Sequence, residues 1–553
     1  MNNTFSFLDY AIFIIYGIVI IGVGLWVSRD KEGHQKNADD YFLASKSLPW
    51  WAIGASLIAA NISAEQFIGM SGSGFAIGLA IASYEWMAAI TLIIVGKYFL
   101  PIFIEKGLYT IPEFVEKRYS TNLKTILAVF WLGLYIFVNL TSVLYLGALA
   151  METIMGIPMI YGIFGLALFA ASYSLYGGLS AVAWTDVIQV VFLTLGGLVT
   201  TYLALNHVSG GEGVWKGFQH IYEAAPDSFH MILDKAHAQY VNLPGIGVLI
   251  GGMWVANLYY WGFNQYIIQR TLAAKSLRES QRGIVFAGVL KLIIPLIVVI
   301  PGIAAYVMVN DPSILARLGD AAQNSTPTME AADRAYPWLL QFLPSGLKGV
   351  AFAALAAAIV SSLASMLNST STIFTMDIYK PYFDPKASDK KTVNVGRLSA
   401  AVALIIACMI APFLSGLDQA FQYIQEYTGM VSPGILAVFI LGLFWKKATN
   451  KAAIWGAVLS IPVALFFKIA PKGWVAGTSI EGIFPNLPFL DQMGLTFLIS
   501  ILFIVVLSYI QNKGVDDSKG IVITRETFKT GKAFNIVSYA IIIVLVALYA
   551  LFW

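Results

Sequence analysis

The stretch LIAANISAEQFIGMSGSG, residues 57–74, decides the fold of this chain because it interrupts an apolar run with polar side chains. Asn61, Ser63, Glu65 and Gln66 stand inside a segment that is otherwise apolar enough to cross a membrane. In a bilayer, irregular backbone is tolerated only where it lines a cavity or is buried in protein. The stretch therefore predicts a broken membrane helix beside an internal site.

A second stretch of the same kind is GVLIGGMWVANLYYWGFNQYIIQR, residues 247–270, in which we expect interruptions at Gly251-Gly252 and at Asn257. Both stretches contain Ala-Asn followed by Ile or Leu, and in the predicted topology they cross the membrane in opposite directions, five spans apart. This arrangement indicates an inverted five-plus-five repeat with its binding site near the midplane. A third disturbed stretch, residues 420–439, contains Pro433, which predicts a kink.

The composition is that of a membrane protein. Of the 553 residues, 58% are hydrophobic and only 12% are charged, whereas soluble domains carry about 25% charged residues. A helix needs about 20 apolar residues to cross the hydrocarbon core. Fourteen stretches satisfy this requirement, at 8–28, 47–72, 76–103, 123–155, 158–176, 180–206, 245–268, 280–309, 346–376, 396–416, 419–445, 450–470, 487–511 and 534–553. We therefore predict an all-α polytopic membrane protein with 14 transmembrane helices.

The distribution of basic residues predicts the orientation. If the N-terminus is outside, 25 of the 34 Lys and Arg residues fall in inside connections and seven fall outside. Cytoplasmic loops carry the excess of such residues, so both termini are expected outside the cytoplasm. We predict one membrane domain, 1–553, divided into an extra N-terminal helix (8–28), a first repeat (47–206), a second repeat (245–445) and three C-terminal helices (450–553).

Several function classes are excluded. The net charge of +3 gives no basis for binding nucleic acid. Cys408, the only cysteine, lies in an apolar run, which excludes a disulfide framework and a cysteine metal site. All five histidines fall outside the apolar runs, which disfavours an intramembrane proton relay. No catalytic constellation is present, so the chain is not expected to be an enzyme.

A cation site is predicted on the ninth span. Ala358, Ser361 and Ser362 share one helix face. Together with carbonyls near Ala59 and Ile62, freed by the first break, they would form an all-oxygen cage that suits a hard monovalent cation. The alternative is helix packing through small residues, with the serines bonded back to their own helix. The neutral ligand set favours sodium over a proton.

A solute site is predicted from polar side chains inside the spans, where a charge costs about 2.5–3.5 kcal/mol or more. These side chains are Asn61, Gln66, Glu85, Asn257, Lys291 and Gln425. Four amides, one carboxylate and one ammonium group suit a sugar, whose hydroxyls both donate and accept hydrogen bonds. Tyr260 and Trp261 share a face with Asn257 and would form an aromatic wall. Interhelical hydrogen bonds, a structural ion pair at Lys291 and core packing at Tyr260 remain as alternatives.

Three segments carry a family resemblance. YSLYGGLSAVAWTDVIQ (173–189), FNQYIIQRTLAAKS (263–276) and AANISAEQF (59–67) resemble the sodium/solute symporter family, and within it the bacterial sugar carriers. The similarity covers nearly the whole chain. It implies a leucine-transporter-like fold with the inverted repeat, placed in the inner (plasma) membrane of a bacterium with both termini on the periplasmic side.

The resemblance also implies a function. It implies sodium-coupled symport of a hexose into the cytoplasm by alternating access, with galactose as first candidate and glucose as second. The partners would be sodium, the hexose and the lipid bilayer, and the protein would be a monomer or a dimer. The rival readings are a sodium symporter for another small polar solute, such as proline, pantothenate or sialic acid, and a sugar sensor on the same fold.

The resemblance assigns roles to individual residues. It implies that the carbonyls of Ala59, Ile62 and Ala358 and the hydroxyls of Ser361 and Ser362 bind sodium, and that Asp186 serves sodium coupling or exit. The six polar residues of the solute site would contact the sugar. Tyr260, with Trp261 nearby, would be the inner gate, and Met70, Tyr84 and Phe421 the outer one. At Ala88 the family commonly has Ser after Glu-Trp-Met, so one hydroxyl contact to the sugar would be missing.

Overall fold

The computed structural model describes residues 5–29, 37–414, 420–471 and 486–553. These residues form helices and no strand, and 11 of the helices are long and apolar enough to cross a membrane. The prediction of an all-helical polytopic membrane protein is therefore confirmed.

We number the long helices and the segments beside the two breaks in chain order, and give the remaining short helices by range. The numbered helices are α1 Phe7–Val27, α2 Trp50–Asn61, α3 Ser71–Ile77, α4 Leu79–Glu105, α5 Thr121–Met155, α6 Met159–Val208, α7 Gly252–Phe263, α8 Gln265–Leu272, α9 Leu277–Asn310, α10 Leu347–Tyr382, α11 Asp389–Leu414, α12 Ala420–Phe444, α13 Asn450–Ile469, α14 Phe489–Asn512 and α15 Lys532–Leu551. The others are Ala38–Leu43, Ala44–Lys46, Glu65–Met70, Ile111–Arg118, Val214–Ala224, Pro226–Phe229, Ile246–Ile250, Pro312–Leu318, Asp320–Gln323, Met329–Arg334, Ala335–Leu340 and Arg525–Phe528.

The first predicted break is confirmed. Helix α2 ends at Asn61, and Ile62 is extended, with φ −78° and ψ 102°. The N–H of Ser63 donates to Oε1 of Gln66 at 2.9 Å instead of to a carbonyl of α2. The chain then resumes as the π-helical turn Glu65–Met70 and continues to Ile77, beyond the predicted end at residue 72.

Of the two interruptions expected in the second stretch, the one at Gly251-Gly252 is confirmed and the other is misplaced. Gly251 separates Ile246–Ile250 from α7, as expected, whereas Asn257 lies inside α7 and its Nδ2 donates to the Met253 carbonyl at 3.2 Å. The expectation of an interruption at Asn257 is therefore wrong. The helix breaks at Asn264, which has φ −83° and ψ 118° and whose Oδ1 accepts a hydrogen bond from the Tyr135 hydroxyl.

Helix α6 contains two predicted spans and folds back on itself at Gly178. The ring of Tyr16 lies 6.3 Å from that of Phe169 and 5.2 Å from that of Phe192, measured between centroids. In a straight helix those two phenylalanines would be about 35 Å apart. Gly178 has φ 63° and ψ −153°, angles that only glycine adopts readily. The two halves of α6 therefore run antiparallel.

Helix α10 forms the centre of the bundle and α1 its periphery. In its most apolar window α10 is 94% buried, whereas α1 is 17% buried. The residues of α10 that face the first break, Ser361 and Ser362, are fully buried. The helix that carries the predicted cation ligands is thus surrounded by protein, and α1 is left to face lipid.

Candidate functional site

A cavity lies between the two broken helices and is lined by side chains from α2, the Glu65–Met70 turn, α4, α7, α9 and α12. Its volume in this conformation is about 50 Å³. All eight side chains predicted to contact the solute line it: Asn61, Gln66, Glu85, Asn257, Tyr260, Trp261, Lys291 and Gln425. The fold thus brings side chains as far apart in sequence as Asn61 and Gln425 together around one cavity.

A buried ion pair forms one wall of this cavity. Nζ of Lys291, on α9, donates to the carboxylate of Glu85, on α4, and to the amide oxygen of Asn61 at the end of α2. Nζ also lies 5.0 Å from the centroid of the Trp261 ring. Both charged side chains are buried, and a buried ion pair repays its desolvation only when further hydrogen bonds and good geometry support it. The pair lines the cavity, so a solute bound there would be in position to supply such bonds.

The amide groups are turned toward the cavity to different degrees. Gln66 uses its Oε1 to accept from the N–H and the hydroxyl of Ser63, so its NH₂ group is the part left for a ligand. Asn61 is bonded on both sides, because its oxygen accepts from Lys291 and its Nδ2 donates to the Tyr260 hydroxyl at 3.0 Å. Gln425 lines the cavity from α12 and is half-buried.

Three aromatic side chains expected at the gates, Tyr84, Tyr260 and Phe421, line the cavity. The hydroxyl of Tyr260 accepts from Asn61 and from the hydroxyl of Tyr266, the latter at 2.8 Å. Tyr84 meets Phe421 edge to face, with ring centroids 5.1 Å apart. The residues expected at the inner and the outer gate thus each contact a neighbouring side chain.

Met70, the fourth predicted gate residue, is placed differently from the other three. It is buried in the Glu65–Met70 turn, and it is not among the residues that line the described cavity. Its neighbour Gly69 approaches Phe421 so closely that a Cβ there would lie 2.9 Å from the Phe421 Cβ. Met70 thus adjoins the contact at the outer gate without facing the cavity.

The predicted cation ligands lie beside the first break. Ser362 Oγ donates to the Ala60 carbonyl at 2.9 Å, which joins α10 to the end of α2. Ala59 and Ile62 flank that position, and both are fully buried, as are Ala358 and Ser361. The Ala59 carbonyl would accept from Ser63 in a continuing helix, but that N–H is engaged by Gln66. The break therefore leaves the Ala59 carbonyl without its helical donor, one residue before the carbonyl that Ser362 contacts.

Asp186 belongs to a sealed cluster next to these ligands. Its carboxylate accepts hydrogen bonds from the hydroxyls of Ser56 and Ser361 and lies 3.4 Å from Nη2 of Arg270. Arg270 also donates to Ser56 at 2.7 Å, to Ser365 and to the Tyr266 carbonyl. The side chains of Asp186 and Arg270 are 0% exposed. The resemblance implied a role for Asp186 in sodium coupling or exit, but the sequence did not predict this saturated cluster.

Some lining residues were missed, namely Tyr259, Thr428, Ser432 and Met493. Glu65, which the sequence left open between supporting the broken helix and contacting the site, also lines the cavity. Glu65 was visible as an intramembrane acid, and its Oε1 is buried without a hydrogen-bond partner among the described residues. Ala88, where the resemblance implied a missing hydroxyl, lines the cavity too. In the described part of the chain there is no group of three or more His, Cys, Asp and Glu side chains that could hold a metal ion.

Comparison with known sequences gives consistent matches. The profile of the sodium:solute symporter family matches residues 41–460. A sodium/glucose cotransporter of Vibrio parahaemolyticus is 67% identical over 553 residues, covering 100% of this chain and 99% of its own length. Sodium/glucose cotransporter 1 of Mus musculus is 32% identical and covers 91% of this chain and 78% of its own. Human sodium/myo-inositol cotransporter 2 is 33% identical and covers 83% and 69%.

A solved structure shows the same fold. The substrate-bound, outward-open structure of a Na⁺-coupled sialic acid symporter superposes with a TM-score of 0.76 at 24% sequence identity. The match covers 91% of this chain and 98% of that one. The shared fold therefore extends over most of this chain.

Proposed function

The chain belongs to the sodium:solute symporter family, and from this premise we propose that its solute is a hexose, galactose or glucose. The chain is a sodium-coupled symporter of the membrane and not an enzyme. The observation that carries the hexose proposal is the cavity itself, where a buried Lys291–Glu85 pair and the side-chain amides of four residues line one space. Relatives named for glucose and for myo-inositol, both polyhydroxylated rings, support the same solute class.

The chemistry of the cavity favours a neutral polyol over a carboxylated solute. A carboxylate would need an unpaired cation, whereas Nζ of Lys291 is already bonded to Glu85 and Asn61. A sugar hydroxyl can donate to Glu85 and accept from Lys291 at the same time. Trp261 and Tyr260 offer ring faces to the apolar side of a pyranose.

We propose that sodium is coordinated by the carbonyls of Ala59, Ile62 and Ala358 and by the hydroxyls of Ser361 and Ser362. A hydroxyl that binds a cation must present a lone pair to it and direct its proton elsewhere. Asp186 accepts that proton from Ser361, and Arg270 holds the Asp186 carboxylate in place. Asp186 would thus act on sodium by orienting Ser361.

The proposed topology has 14 crossings. The 11 long helices, with α6 counted as two halves and with the two broken helices added, amount to this number. Residues 47–206 and 245–445 would form the two inverted repeats, with both termini on the periplasmic side of a bacterial inner membrane, as the Lys and Arg distribution favours.

The proposed cycle begins with external sodium binding beside the first break, which completes the solute cavity. Sugar binding then closes the Tyr84–Phe421 gate, and Tyr260 moves aside on the inner face to release the sugar. A potential of about 100 mV contributes about 2.3 kcal/mol and a tenfold sodium gradient about 1.4 kcal/mol, so one sodium ion supports roughly 500-fold accumulation.

The test is uptake of labelled galactose and labelled glucose by proteoliposomes that contain the full chain. Sodium outside is expected to drive accumulation that potassium outside does not. Equal uptake in both salts would contradict sodium coupling. Sodium-driven uptake of sialic acid, proline or pantothenate, without uptake of either hexose, would contradict the proposed solute class.

A further inference from the structure

The middle of α12 carries polar groups that the proposed solute site does not yet use. Gln425, Gly429 and Ser432 stand at i, i+4 and i+7 of this helix, so they share one face, and all three line the central cavity. Of the three, only Gln425 is among the residues predicted from the sequence to contact the solute. The other two therefore need an account of their own.

Ser432 is a buried serine whose hydroxyl has no partner in the described part of the chain. Its side chain is 1% exposed, and its Oγ forms no hydrogen bond with any residue that the structure describes. Ser365 and Ser500, which are buried in other spanning helices, donate instead to a carbonyl of their own helix, at 2.7 and 2.8 Å. A buried hydroxyl without a hydrogen bond costs free energy, so a ligand that bonded to Ser432 would supply what the protein does not.

Pro433 frees a main-chain acceptor one turn before it in the same helix. It lies inside α12 and has no N–H to donate to the carbonyl of Gly429, four residues earlier. Gly429 has no side chain, so it lines the cavity with main-chain atoms. The helix thus carries a hydroxyl donor and a carbonyl acceptor within one turn of each other, on the face that lines the cavity.

Met493, on α14, packs against this part of α12. It lines the central cavity too, and a Cβ at position 429 would lie 2.5 Å from its Cε. The thioether can therefore approach α12 this closely only because residue 429 is glycine. Methionine is unbranched and adapts its shape readily, so this wall can yield when a ligand takes up the space beside Gly429.

We propose that Ser432 and the Gly429 carbonyl form a further solute subsite, which binds one hydroxyl group of the hexose. A sugar hydroxyl accepts one hydrogen bond and donates another, so it can accept from Ser432 and donate to Gly429. A carboxylate has acceptors only and would leave the carbonyl without a donor. This inference rests on the proposed function, because it adds a contact to the same solute in the same cavity.

The first test removes the hydroxyl. Ser432→Ala should raise the galactose concentration for half-maximal uptake by proteoliposomes about 2–10-fold at saturating sodium, since one hydrogen bond to the sugar is lost. Thermal stability of the sugar-free protein should stay the same or rise, because the hydroxyl has no protein partner among the described residues. Ser500→Ala, which removes a buried hydroxyl that does not line the cavity, is the matched control and should leave the half-maximal galactose concentration unchanged.

Deoxygalactoses show whether Ser432 contacts the sugar or acts indirectly. Each probe lacks one hydroxyl of galactose. For the probe that lacks the hydroxyl bound at this subsite, the wild type and Ser432→Ala should have the same half-maximal concentration. For the other probes, Ser432→Ala should still raise this concentration about 2–10-fold. An equal increase for every deoxygalactose would overturn the contact.

A second variant withdraws the carbonyl. Pro433→Ala supplies an N–H to the Gly429 carbonyl, so it should raise the half-maximal galactose concentration about 2–10-fold although it adds a helical hydrogen bond. Pro462→Ala makes the same change inside α13, away from the lining residues of the cavity, and is the matched control.

The outcomes separate this subsite from the proposed function. A wild-type chain that accumulates no hexose in sodium would overturn the proposed function and the subsite with it. Hexose accumulation by the wild type, with Ser432→Ala and Pro433→Ala no different from Ser500→Ala and Pro462→Ala, would overturn the subsite alone.

Discussion

Two buried cation–carboxylate pairs lie inside this bundle, and they differ in what surrounds them. The Lys291–Glu85 pair lines a cavity and has one protein amide, that of Asn61, as a further partner of the lysine. The Arg270–Asp186 pair touches no described cavity and is saturated by hydroxyls and a carbonyl. A ligand can join the first pair but not the second. Intramembrane charge alone therefore does not identify a binding site, because the space beside the charge decides whether a solute can use it.

The strongest test of this difference removes one partner at the cavity. Lys291→Met leaves the Glu85 carboxylate buried and unpaired, at a cost of about 3–5 kcal/mol, and should lower galactose affinity by at least about 100-fold. Isothermal titration with galactose in saturating sodium measures this. The double variant Lys291→Met with Glu85→Gln removes the unpaired charge and should recover thermal stability but not binding. Galactose affinity in the double variant within threefold of the wild type would show that the pair is structural.

The second test addresses the sealed pair. Asp186→Asn keeps the size of the side chain but removes the charge that accepts the Ser361 proton, a loss of about 1.5–3 kcal/mol. The sodium concentration for half-maximal galactose uptake should rise about tenfold or more, while galactose affinity at saturating sodium stays within twofold. Asp384→Asn, at a partly exposed position paired with Lys391, is the control and should change neither quantity. A fall in sugar affinity alone would contradict the assignment of this cluster to the ion.

A third and smaller effect is expected when one hydroxyl or one amide is removed. Ser362→Ala removes the hydrogen bond to the Ala60 carbonyl and one proposed sodium ligand. Because one such interaction contributes about 0.5–1.5 kcal/mol, the sodium concentration for half-maximal uptake should rise about 2–10-fold. Gln66→Ala should instead raise the galactose concentration for half-maximal uptake. Uptake measured over a matrix of sodium and galactose concentrations separates the two. If both variants raise the same half-maximal concentration, that of sodium or that of galactose, the division into an ion region and a solute region is wrong.

The smallest effect concerns the two gates. Tyr260→Phe removes a hydroxyl that accepts hydrogen bonds from Asn61 and Tyr266. Their loss should destabilise the closed inner gate by about 0.5–1.5 kcal/mol and change the rate of galactose exchange about 2–10-fold. The hydroxyl of Tyr84 is buried without a partner among the described residues, so Tyr84→Phe should change exchange by less than twofold. A larger loss with Tyr84→Phe would show that its hydroxyl contacts the sugar.

Much of the cavity could be predicted because membrane depth restricts where polar residues occur. The break at Asn61 and Ile62 and the solute side chains from Asn61 to Gln425 were visible as exceptions in apolar runs. The break at Asn264 was not, because it depends on Tyr135, which lies 129 residues away in sequence. Arg270 was missed for a different reason. It stands at the end of a span, where position alone makes it resemble a cytoplasmic loop charge, and only packing shows that it is buried.

The capping of α10 by Asp9 has a consequence for biosynthesis. Asp9 is made first, whereas the N–H groups that it accepts from belong to Gly346 and Gly349, 337 and 340 residues later. At about 5–20 residues per second, a ribosome needs about 17–70 s to reach them. During that interval the first helix carries a carboxylate that has only Ser6 as partner, so its final docking is a late event of membrane insertion. Drugs that stall translation before residue 346 should therefore leave α1 accessible to proteases that the finished bundle excludes.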